Sequence, residues 1–212
     1  MKKICVVIVN RANYGRVRLL LKKIKKNKKL KLQIILASST LLKNYGRLDA
    51  IIKKDGFKVD KKFFNHISGE NNETMAKSVG LLTIELSSVF YDLKPNLVIT
   101  IADRYETLAT ATAASYMNIC VAHLQGGELT GSIDESVRHA VTKLSHVHLT
   151  CTKNSRKRVI QMGENPKKVF NVGCPSIDQI KSINFKKKLS LTKYKFGVGY
   201  KVDLKKKYLV VM

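Results

Sequence analysis

The densest group of reactive side chains lies in residues 123–135, which follow a short apolar run. This segment contains three glycines, three carboxylates, one glutamine and one histidine. Glycine lets a backbone approach a sugar or a phosphate closely, and clustered carboxylates suit proton transfer at carbon or at a leaving oxygen. The candidate site residues in it are Gln125, Gly126, Gly127, Glu128, Ser132 and Asp134. The alternative is a capped loop, in which Ser132 or Asp134 begins the next helix.

A second candidate carboxylate, Asp103, lies in the polar segment 102–106 after another apolar run. An Asp between a strand and a helix most often caps the helix, although such a residue can also face a ligand. Arg138 and His139 follow Asp134 in the next predicted helix. Because Asp134 and Arg138 are four residues apart, they share a helix face, and the simplest interpretation is a surface ion pair.

Other polar patterns have weaker functional interpretations. His146 and His148 alternate on a predicted strand, which directs both rings to one side, but no third ligand is nearby and hydrogen bonding is favoured over a metal. Residues 173–176 open a helix whose N–H groups could hold an anion, and Cys174 is interpreted as a small buried residue rather than a nucleophile. The sequence has no phosphate-binding loop and no glycine-rich dinucleotide motif after its first strand, which disfavours an ATPase or a typical NAD enzyme.

Strand-like and helix-like segments alternate along the chain and position these residues. Continuous apolar runs predict strands at 4–9, 30–37, 97–101, 121–124, 147–151 and 169–172. Apolar residues at helical spacing predict helices at 17–24, 49–54, 74–93, 106–117, 133–144, 155–162 and 176–180. The pattern predicts an α/β fold, a Rossmann-like parallel sheet with helices on both faces. Such sheets bind ligands at the carboxyl ends of their strands, so the loops after residues 9, 101, 124 and 172 are expected to form the site.

The chain is strongly basic, but the charge lies mostly outside the polar motifs. It has 40 Lys and Arg against 15 Asp and Glu in 212 residues, a formal net charge of +25, and only eight of the basic residues are Arg. Residues 96–178 carry nine basic and seven acidic side chains, so only +2 of the +25 lies there. Lysine runs such as 22–29 lack interleaved Arg and aromatic residues, so they are interpreted as solvated helix ends rather than a nucleic-acid surface.

Composition also limits the compartment and the architecture. A hydrophobic content of 44% excludes intrinsic disorder. No apolar stretch approaches the roughly 20 residues of a membrane-spanning helix, and the run at 4–9 is too short for a secretory signal. Four cysteines without a C-x-x-C pair predict reduced thiols in a cytoplasmic protein, rather than a disulfide framework or a zinc site.

Five segments together resemble the hydrolysing UDP-N-acetylglucosamine 2-epimerases, which open the biosynthesis of sialic acid and related nonulosonic acids. They are Arg-Ala-Asn-Tyr-Gly at 11–15, Asp-Arg at 103–104, His-Leu-Gln-Gly-Gly-Glu at 123–128, Ser-Ile-Asp-Glu-Ser-Val-Arg-His-Ala at 132–140 and Val-Gly-Cys-Pro-Ser-Ile-Asp at 172–178. The resemblance implies one half of a glycosyltransferase-B architecture, as in UDP-glycosyltransferases and glycogen phosphorylase. It implies a UDP-sugar substrate, no cofactor, and a reaction of UDP-N-acetylglucosamine with water to give N-acetylmannosamine and UDP. Some relatives act instead on a UDP-linked 2,4-diacetamido-trideoxyhexose, on the way to legionaminic acid.

The same resemblance implies roles for individual residues. Asp103 and Asp134 match acidic positions that serve the family as acid–base residues. Arg11 matches an arginine near the nucleotide phosphates. Arg138 and His139 match the helix that lines the cleft, and with the loop before it they are expected to bind the substrate.

Two positions depart from the family pattern. The acidic residue that many members place just before the Gly-Gly pair is Gln125 here, and a glutamine cannot transfer protons as a carboxylate does. Either Glu128 substitutes for it, or the mechanism relies on two carboxylates. Thr40 lies where relatives often place a histidine.

The domain organisation expected from the sequence is one domain and the start of another. Residues 1–180 form the amino-terminal Rossmann-like domain, 181–206 a Lys-rich linker, and 207–212 the first strand of a truncated second domain. The chain alone is therefore expected to be inactive, and the full-length protein to be a homo-oligomer without nucleic-acid or membrane partners. The alternatives are a non-hydrolysing 2-epimerase and a non-catalytic, basic Rossmann-like binding module.

Overall fold

A computed structural model describes residues 1–69 and 71–183 of the chain. Its strands in these ranges are β1 (Lys2–Ile8), β2 (Leu30–Leu36), β3 (Lys61–Lys62), β4 (Leu97–Ile101), β5 (Cys120–Leu124), β6 (Val147–Thr150) and β7 (Val169–Asn171). Its α-helices are α1 (Arg11–Lys26), α2 (Leu48–Lys54), α3 (Asn72–Leu93), α4 (Tyr105–Tyr116), α5 (Ile133–Lys143), α6 (Lys153–Gln161) and α7 (Pro175–Lys181). Short 3₁₀ helices lie at Ser38–Leu41, Lys43–Tyr45 and Pro166–Lys168.

The strands form one parallel sheet in the order β3-β2-β1-β4-β5-β6-β7. Successive strands run outward from β1 in one direction and from β4 in the other, so the order reverses between these two. This is the Rossmann-like arrangement, in which ligands bind in the crevice at the carboxyl ends of the strands where the order reverses. The predicted fold class is confirmed.

The core lies in two layers, one on each face of the sheet. Alternate residues of β1 point to opposite faces, and so Ile4, Val6 and Ile8 belong to one hydrophobic cluster and Cys5 and Val7 to the other. Helices α1 and α2 cover the first cluster, and α3 and α4 cover the second. Both faces of β1 are buried for this reason, which explains its uninterrupted apolar run.

Local sequence explains where the helices begin. Asn71 and Thr74 form a capping box at the start of α3, in which each side chain accepts the backbone N–H of the other residue. Pro175 is the first residue of α7, where its fixed φ is favourable and its missing N–H costs nothing. Both helices were expected close to these positions.

Two local predictions differ from the structure. Residues 38–40, expected as the start of a polar loop, form a 3₁₀ helix in which Ser38 and Thr40 are buried. Strand β3 was not expected, because two lysines carry no apolar signal; it forms because Asp60 and Phe63 donate backbone N–H groups to Ile34 and Leu36 of β2.

Residues Met1–Lys181 form one compact unit. The linker predicted at 181–206 and the strand predicted at 207–212 lie almost wholly outside the described residues and remain predictions. No helix among the described residues is long and apolar enough to cross a membrane. All four cysteines are free thiols.

Candidate active site

A cavity of about 620 Å³ opens at the carboxyl edge of the sheet, where the strand order reverses. It is lined by the segments that follow β1, β2, β3 and β4. Its polar lining includes Asn10, Arg11, Ser39, His66, Arg104 and Glu106. The loops after residues 9 and 101 were expected to form the site, and the cavity confirms that they meet.

Arg11 supplies a cation to this cavity from the first turn of α1. The Asn10 side chain caps the helix by accepting the Asn13 N–H at 2.8 Å, which fixes the direction in which α1 leaves the sheet. The Arg11 guanidinium packs over Gly46, whose φ is +79° and where an added Cβ would lie 2.6 Å from Nη2. Glycine is therefore favoured at position 46 by its backbone conformation, whereas the exposed end of the Arg11 side chain could move to admit a Cβ.

Arg104 and Glu106 form a second charged pair in the cavity, which sequence reasoning missed. The Arg104 Nε lies 3.2 Å from the Glu106 carboxylate, and Glu106 is only 1% exposed. Burial lowers the pKa of Arg104, but Glu106 together with Asp134 outweighs this effect, so its pKa lies above the usual value. Glu106 lies in the first turn of α4, where an acidic residue is also favourable on an exposed helix, so the local sequence did not mark it as a buried partner of Arg104.

Asp103 does not cap α4, contrary to the simplest expectation. The helix begins at Tyr105, and the capping position is Arg104, which makes no side-chain capping hydrogen bond. The Asp103 carboxylate instead accepts a hydrogen bond from Arg138 Nη2 on α5. Tertiary contact has therefore replaced the local hydrogen bond that the sequence suggested.

Arg138 connects Asp103 to α5, the helix that also carries Asp134. The surface ion pair expected between Arg138 and Asp134 is wrong: Arg138 is 3% exposed, and its partner is Asp103. Its Nε and Nη1 atoms are buried and have no hydrogen-bond partner among the described residues. Buried guanidinium donors without a partner are costly, so this arginine is well suited to receive an anionic or carbonyl group of a ligand.

Asp134 lies in the first turn of α5, one turn before Arg138 and half-buried. Ser132 caps the helix by accepting the Asp134 N–H at 3.3 Å, as the capped-loop alternative predicted. Glu135 accepts the N–H groups of Thr130 and Gly131 at 2.7 and 3.0 Å and so closes the loop before the helix. The Asp134 carboxylate takes no part in this capping. Arg138 of α5 holds the Asp103 carboxylate, and the Asp134 carboxylate is close enough to Arg104 to raise its pKa. Both aspartates therefore face the gap between the β4–α4 turn and α5.

Gln125 and Glu128 lie further along the sheet, beside the end of β6. Both side chains contact the Cys151 thiol, and burial, followed by the nearby Glu128 carboxylate, raises the pKa of Cys151 to about 12. Gln125 is 6% exposed, and its Oε1 has no partner in the described part of the chain. Glu128 is thus a neighbour of Gln125, and it could take the role of the acidic residue that many family members have at position 125.

The paired glycines are explained at least in part by packing within the protein. An added Cβ at Gly126 would lie 3.0 Å from both His123 Nδ1 and Thr142 Oγ1. An added Cβ at Gly127 would lie 2.5 Å from the Ser155 carbonyl oxygen, and its φ is +77°. Contact of either glycine with a substrate stays a prediction.

Strained backbone is concentrated at this edge of the sheet. Ser38, Ala102 and Gln125 have φ values of +54°, +62° and +68°, a region that non-glycine residues rarely occupy. They follow β2, β4 and β5, respectively. Such strain persists only where the surroundings enforce it, and it is frequent at functional sites.

Three of the five histidines make ordinary polar contacts within the protein. His139 Nδ1 donates to the Glu135 carbonyl at 2.6 Å. His146 precedes β6 and is exposed, accepting the Val121 N–H at 3.2 Å, whereas His148 is buried and lies 3.1 Å from Glu164. The two rings therefore have different surroundings rather than sharing one side. Hydrogen bonding is confirmed, and the described residues contain no group of three potential metal ligands.

Cys174, directly before α7, also differs from expectation. Cys174 is half-buried rather than buried. The Ile177 and Asp178 N–H groups donate to the Cys174 carbonyl at 3.1 and 3.3 Å, so these donors are satisfied within the protein. The N–H groups of Gly173, Cys174 and Ser176 are not among these donors, so an anion-binding role for this helix start stays a prediction.

The stability of the domain is predicted to depend on pH through His123. Its ring is fully buried, and burial lowers its pKa from 6.5 to about 4. Between pH 6.5 and 4 the unfolded chain therefore binds the proton more strongly than the folded chain, and stability is lost as the pH falls through this window. The contribution of this group to the free energy of unfolding is expected to fall by roughly 3 kcal/mol. Urea denaturation at pH 7 and pH 4 measures the change.

The matched control is His123→Gln, which cannot titrate in this range. Its free energy of unfolding should depend less on pH than that of the unsubstituted chain. His148 and the carboxylates are present in both proteins, so their contributions cancel in the comparison. An equal fall in both proteins would show that His123 is not the source.

The fold and the site define a Rossmann-like α/β domain of the glycosyltransferase-B type, with its polar site at the carboxyl edge of the sheet. Residues 22–212 of the chain match the sequence model of the protein family described as UDP-N-acetylglucosamine 2-epimerase. The chain belongs to this family, as the sequence motifs indicated.

Individual relatives agree with this membership. A Campylobacter jejuni protein named GDP/UDP-N,N'-diacetylbacillosamine 2-epimerase (hydrolyzing) is 38% identical over 210 residues, which cover 99% of this chain and 53% of the relative. A Legionella pneumophila UDP-N,N'-diacetylbacillosamine 2-epimerase (hydrolyzing) is 38% identical over 180 residues, covering 85% of this chain and 48% of the relative. The chain thus spans about half the length of the curated relatives that it matches.

A solved structure shows the same fold. The UDP-N-acetylglucosamine 2-epimerase of Neisseria meningitidis, bound to UDP-N-acetylglucosamine, superposes with a TM-score of 0.74 at 22% identity, covering 92% of this chain and 50% of that protein. At this identity the similarity establishes the fold alone.

Proposed function

We propose that this chain forms the amino-terminal half of a hydrolysing UDP-sugar 2-epimerase. The observation that carries the proposal is the pairing of Asp103 with Arg138, which holds the β4–α4 turn against the helix that also bears Asp134. Two carboxylates from distant parts of the chain are thereby available to one sugar ring. The names of the Campylobacter jejuni and Legionella pneumophila relatives support the same activity.

The chemistry requires the residue types that the site contains. The C2 hydrogen of a sugar is weakly acidic, and lengthening of the anomeric C1–O bond builds positive charge at C1 and acidifies it. One aspartate then removes this proton while the C1–O bond breaks, so that UDP leaves and a C1=C2 glycal forms. Water adds at C1, and a proton returns to C2 from the opposite face, which inverts that centre. Asp103 and Asp134 serve as the acid–base groups, and Arg11 stabilises negative charge on the leaving diphosphate.

Glu128 is the third carboxylate of the proposed site. Gln125 replaces the acid of many family members, and Glu128 lies beside it against Cys151. Loss of turnover in a Glu128→Gln variant would show that Glu128 acts as an acid–base group. Retained turnover would favour a mechanism with two carboxylates.

The proposed substrate is a UDP-linked 2,4-diacetamido-trideoxyhexose, with UDP-N-acetylglucosamine as the second candidate. The first is favoured because two relatives at 38% identity are named for UDP-N,N'-diacetylbacillosamine. The product is then a free 2-epimeric sugar that feeds legionaminic acid biosynthesis, whereas UDP-N-acetylglucosamine would feed sialic acid biosynthesis. We place the reaction in the cytoplasm.

A product assay tests the reaction. Because the chain spans about half the length of its relatives, the test uses a hybrid protein. We define the hybrid protein as residues 1–212 continued by the carboxyl-terminal part of the Campylobacter jejuni relative. With either UDP-sugar, the hybrid protein is expected to release equal amounts of UDP and the free 2-epimeric sugar. Appearance of the epimeric UDP-sugar without free sugar would show the non-hydrolysing reaction instead. A folded hybrid that binds UDP and yields neither product would contradict both.

The 212-residue chain by itself is expected to show no turnover, since the opposite wall of the cleft comes from the other half in this architecture. Turnover by this chain alone would refute that expectation. Salt-dependent binding to nucleic acid without binding to UDP would favour the non-catalytic alternative.

A homo-oligomer is proposed for the full-length protein. Leu81, Ile84 and Tyr91 lie on one face of α3 and are 42, 66 and 72% exposed. An apolar stripe of this kind is unusual on a free helix surface. Sedimentation equilibrium of the hybrid protein tests the assembly.

A further inference from the structure

His123 lies on β5, one residue before the carboxyl end of the strand, and the proposed chemistry does not use it. Its side chain is fully buried, with 0% exposure. Both ring nitrogens have partners: Nε2 lies 2.8 Å from the Ala102 carbonyl oxygen, and Nδ1 lies 3.1 Å from Thr142 Oγ1. These partners belong to two different elements, the turn after β4 and helix α5.

The partners fix the protonation of the ring. A carbonyl oxygen only accepts hydrogen bonds, so Nε2 must carry a proton to bond Ala102. The ring is neutral in this environment, so Nδ1 carries none and accepts from the Thr142 hydroxyl. His123 thus holds the turn with one nitrogen and the helix with the other.

Both contacts lead directly to the candidate catalytic groups. Ala102 immediately precedes Asp103 and has the strained φ of +62°, which the bond to His123 helps to maintain. Thr142 lies one turn after Arg138, the partner of Asp103. Gly126 leaves room for the bridge, because an added Cβ there would lie 3.0 Å from both atoms of the His123–Thr142 bond.

We propose that His123 is a positioning residue for the reaction: its ring ties the turn that carries Asp103 to the helix that carries Asp134, and so sets the distance between the two carboxylates. This inference rests on the proposed function, in which those carboxylates transfer protons. A misplacement of about 1 Å at a reacting group is enough to slow catalysis substantially. His123 acts through Asp103 and contacts no substrate.

The bridge itself is tested in the 212-residue chain without any assay of activity. Nitrogen-15 NMR of the histidine rings should show His123 as the neutral Nε2–H form throughout pH 6–8. A neutral Nδ1–H form would overturn the proposal, because Nε2 would then carry no proton to donate to the Ala102 carbonyl. A charged ring would keep both contacts, with the bond to Thr142 reversed in direction.

The consequence for catalysis is tested with two substitutions in the hybrid protein. Glutamine places its amide nitrogen near the position of histidine Nε2 and can still donate to Ala102, whereas asparagine is too short to do so. In both variants Thr142 keeps a partner, because its hydroxyl lies 3.0 Å from the Arg138 carbonyl oxygen. We expect His123→Asn to lower kcat about 30-fold with little change in KM, and His123→Gln, which keeps the bond to the turn but loses the bond to the helix, to lower kcat less, by about 10-fold.

The matched control is His148→Asn. His148 is paired with His123 across β5 and β6 and is 1% exposed, but its partner is Glu164. We expect this variant to keep kcat within about 3-fold, even if it melts earlier. Equal losses of kcat in His123→Asn and His148→Asn would show general damage to the core and overturn the proposal, as would an unchanged kcat in His123→Asn.

A double substitution separates this proposal from the proposed function. If His123 acts through Asp103, adding His123→Asn to an Asp103→Asn protein should lower kcat less than about 3-fold further, whereas independent effects would multiply. Full activity of Asp103→Asn alone would refute the catalytic assignment. If Asp103→Asn loses activity and the losses from Asp103→Asn and His123→Asn multiply in the double variant, then only the role of His123 is refuted.

Discussion

Asp134→Asn in the hybrid protein is expected to lower turnover about 1,000-fold while the affinity for UDP stays within about 2-fold. Removal of an acid–base group costs typically 100- to 10,000-fold in rate. The nucleotide is held by other groups, so its binding should persist. Asp134 takes no part in capping α5, because Ser132 and Glu135 satisfy the backbone there, and the fold should tolerate the change. Steady-state kinetics and titration calorimetry with UDP provide the two measurements.

Glu135→Gln is the matched control for that experiment. It changes the adjacent carboxylate in the same way, and its remaining amide oxygen can still accept the Thr130 and Gly131 N–H groups. Turnover should stay within about 5-fold of the unsubstituted hybrid. Similar losses in both variants would mean that the loop geometry is responsible rather than proton transfer, and unchanged turnover in Asp134→Asn would end its assignment as an acid–base group.

Asp103→Ala is expected to have the largest effect on stability, a loss of about 3 kcal/mol in the free energy of unfolding of the 212-residue chain. The substitution leaves the Arg138 guanidinium buried without its carboxylate, and a buried charge that loses its partner is strongly destabilising. Denaturation by urea at neutral pH measures the change. Asp134→Asn, which removes a half-buried carboxylate from the same face of the site, should cost less than about 1 kcal/mol.

The double variant Asp103→Ala with Arg138→Met identifies the cause of this loss. Replacement of both charges by apolar groups removes the unpaired charge, so most of the lost stability should return. If the double variant is instead less stable than either single variant by the sum of their effects, then the two residues do not interact and the turn is held to α5 in some other way.

Much of the fold could be predicted because its signals are local. The apolar runs of β1, β4 and β5 mark strands that are buried on both faces, and such strands need helices between them to run parallel. The sequence also placed the loops after residues 9 and 101 at the site, because parallel strands bring their carboxyl ends to one edge, but it did not predict that the segment after β2 lines the cavity too. The two-residue strand β3 gave no such signal, since it exists only through hydrogen bonds to β2.

The site was only partly accessible to sequence reasoning. The local rules predicted a helix cap for Asp103 and a surface ion pair for Arg138. The two residues instead pair with each other, 35 positions apart in the chain. Glu106 was missed because nothing in its neighbours shows that its carboxylate is buried against Arg104. His123 was noted only as part of a motif, since its two contacts join segments that are remote along the chain.

The sequence alone therefore determined the class of fold, the family, and several of the acidic and basic groups at one edge of the sheet. Only the tertiary structure decided which of these groups meet: Asp103 with Arg138, Glu106 with Arg104, and His123 with both Ala102 and Thr142. The physical reason is that secondary structure follows from periodic burial and backbone hydrogen bonds within a short segment. The partner of a buried charge or ring is set by how separate segments pack, and there desolvation outweighs the local preference.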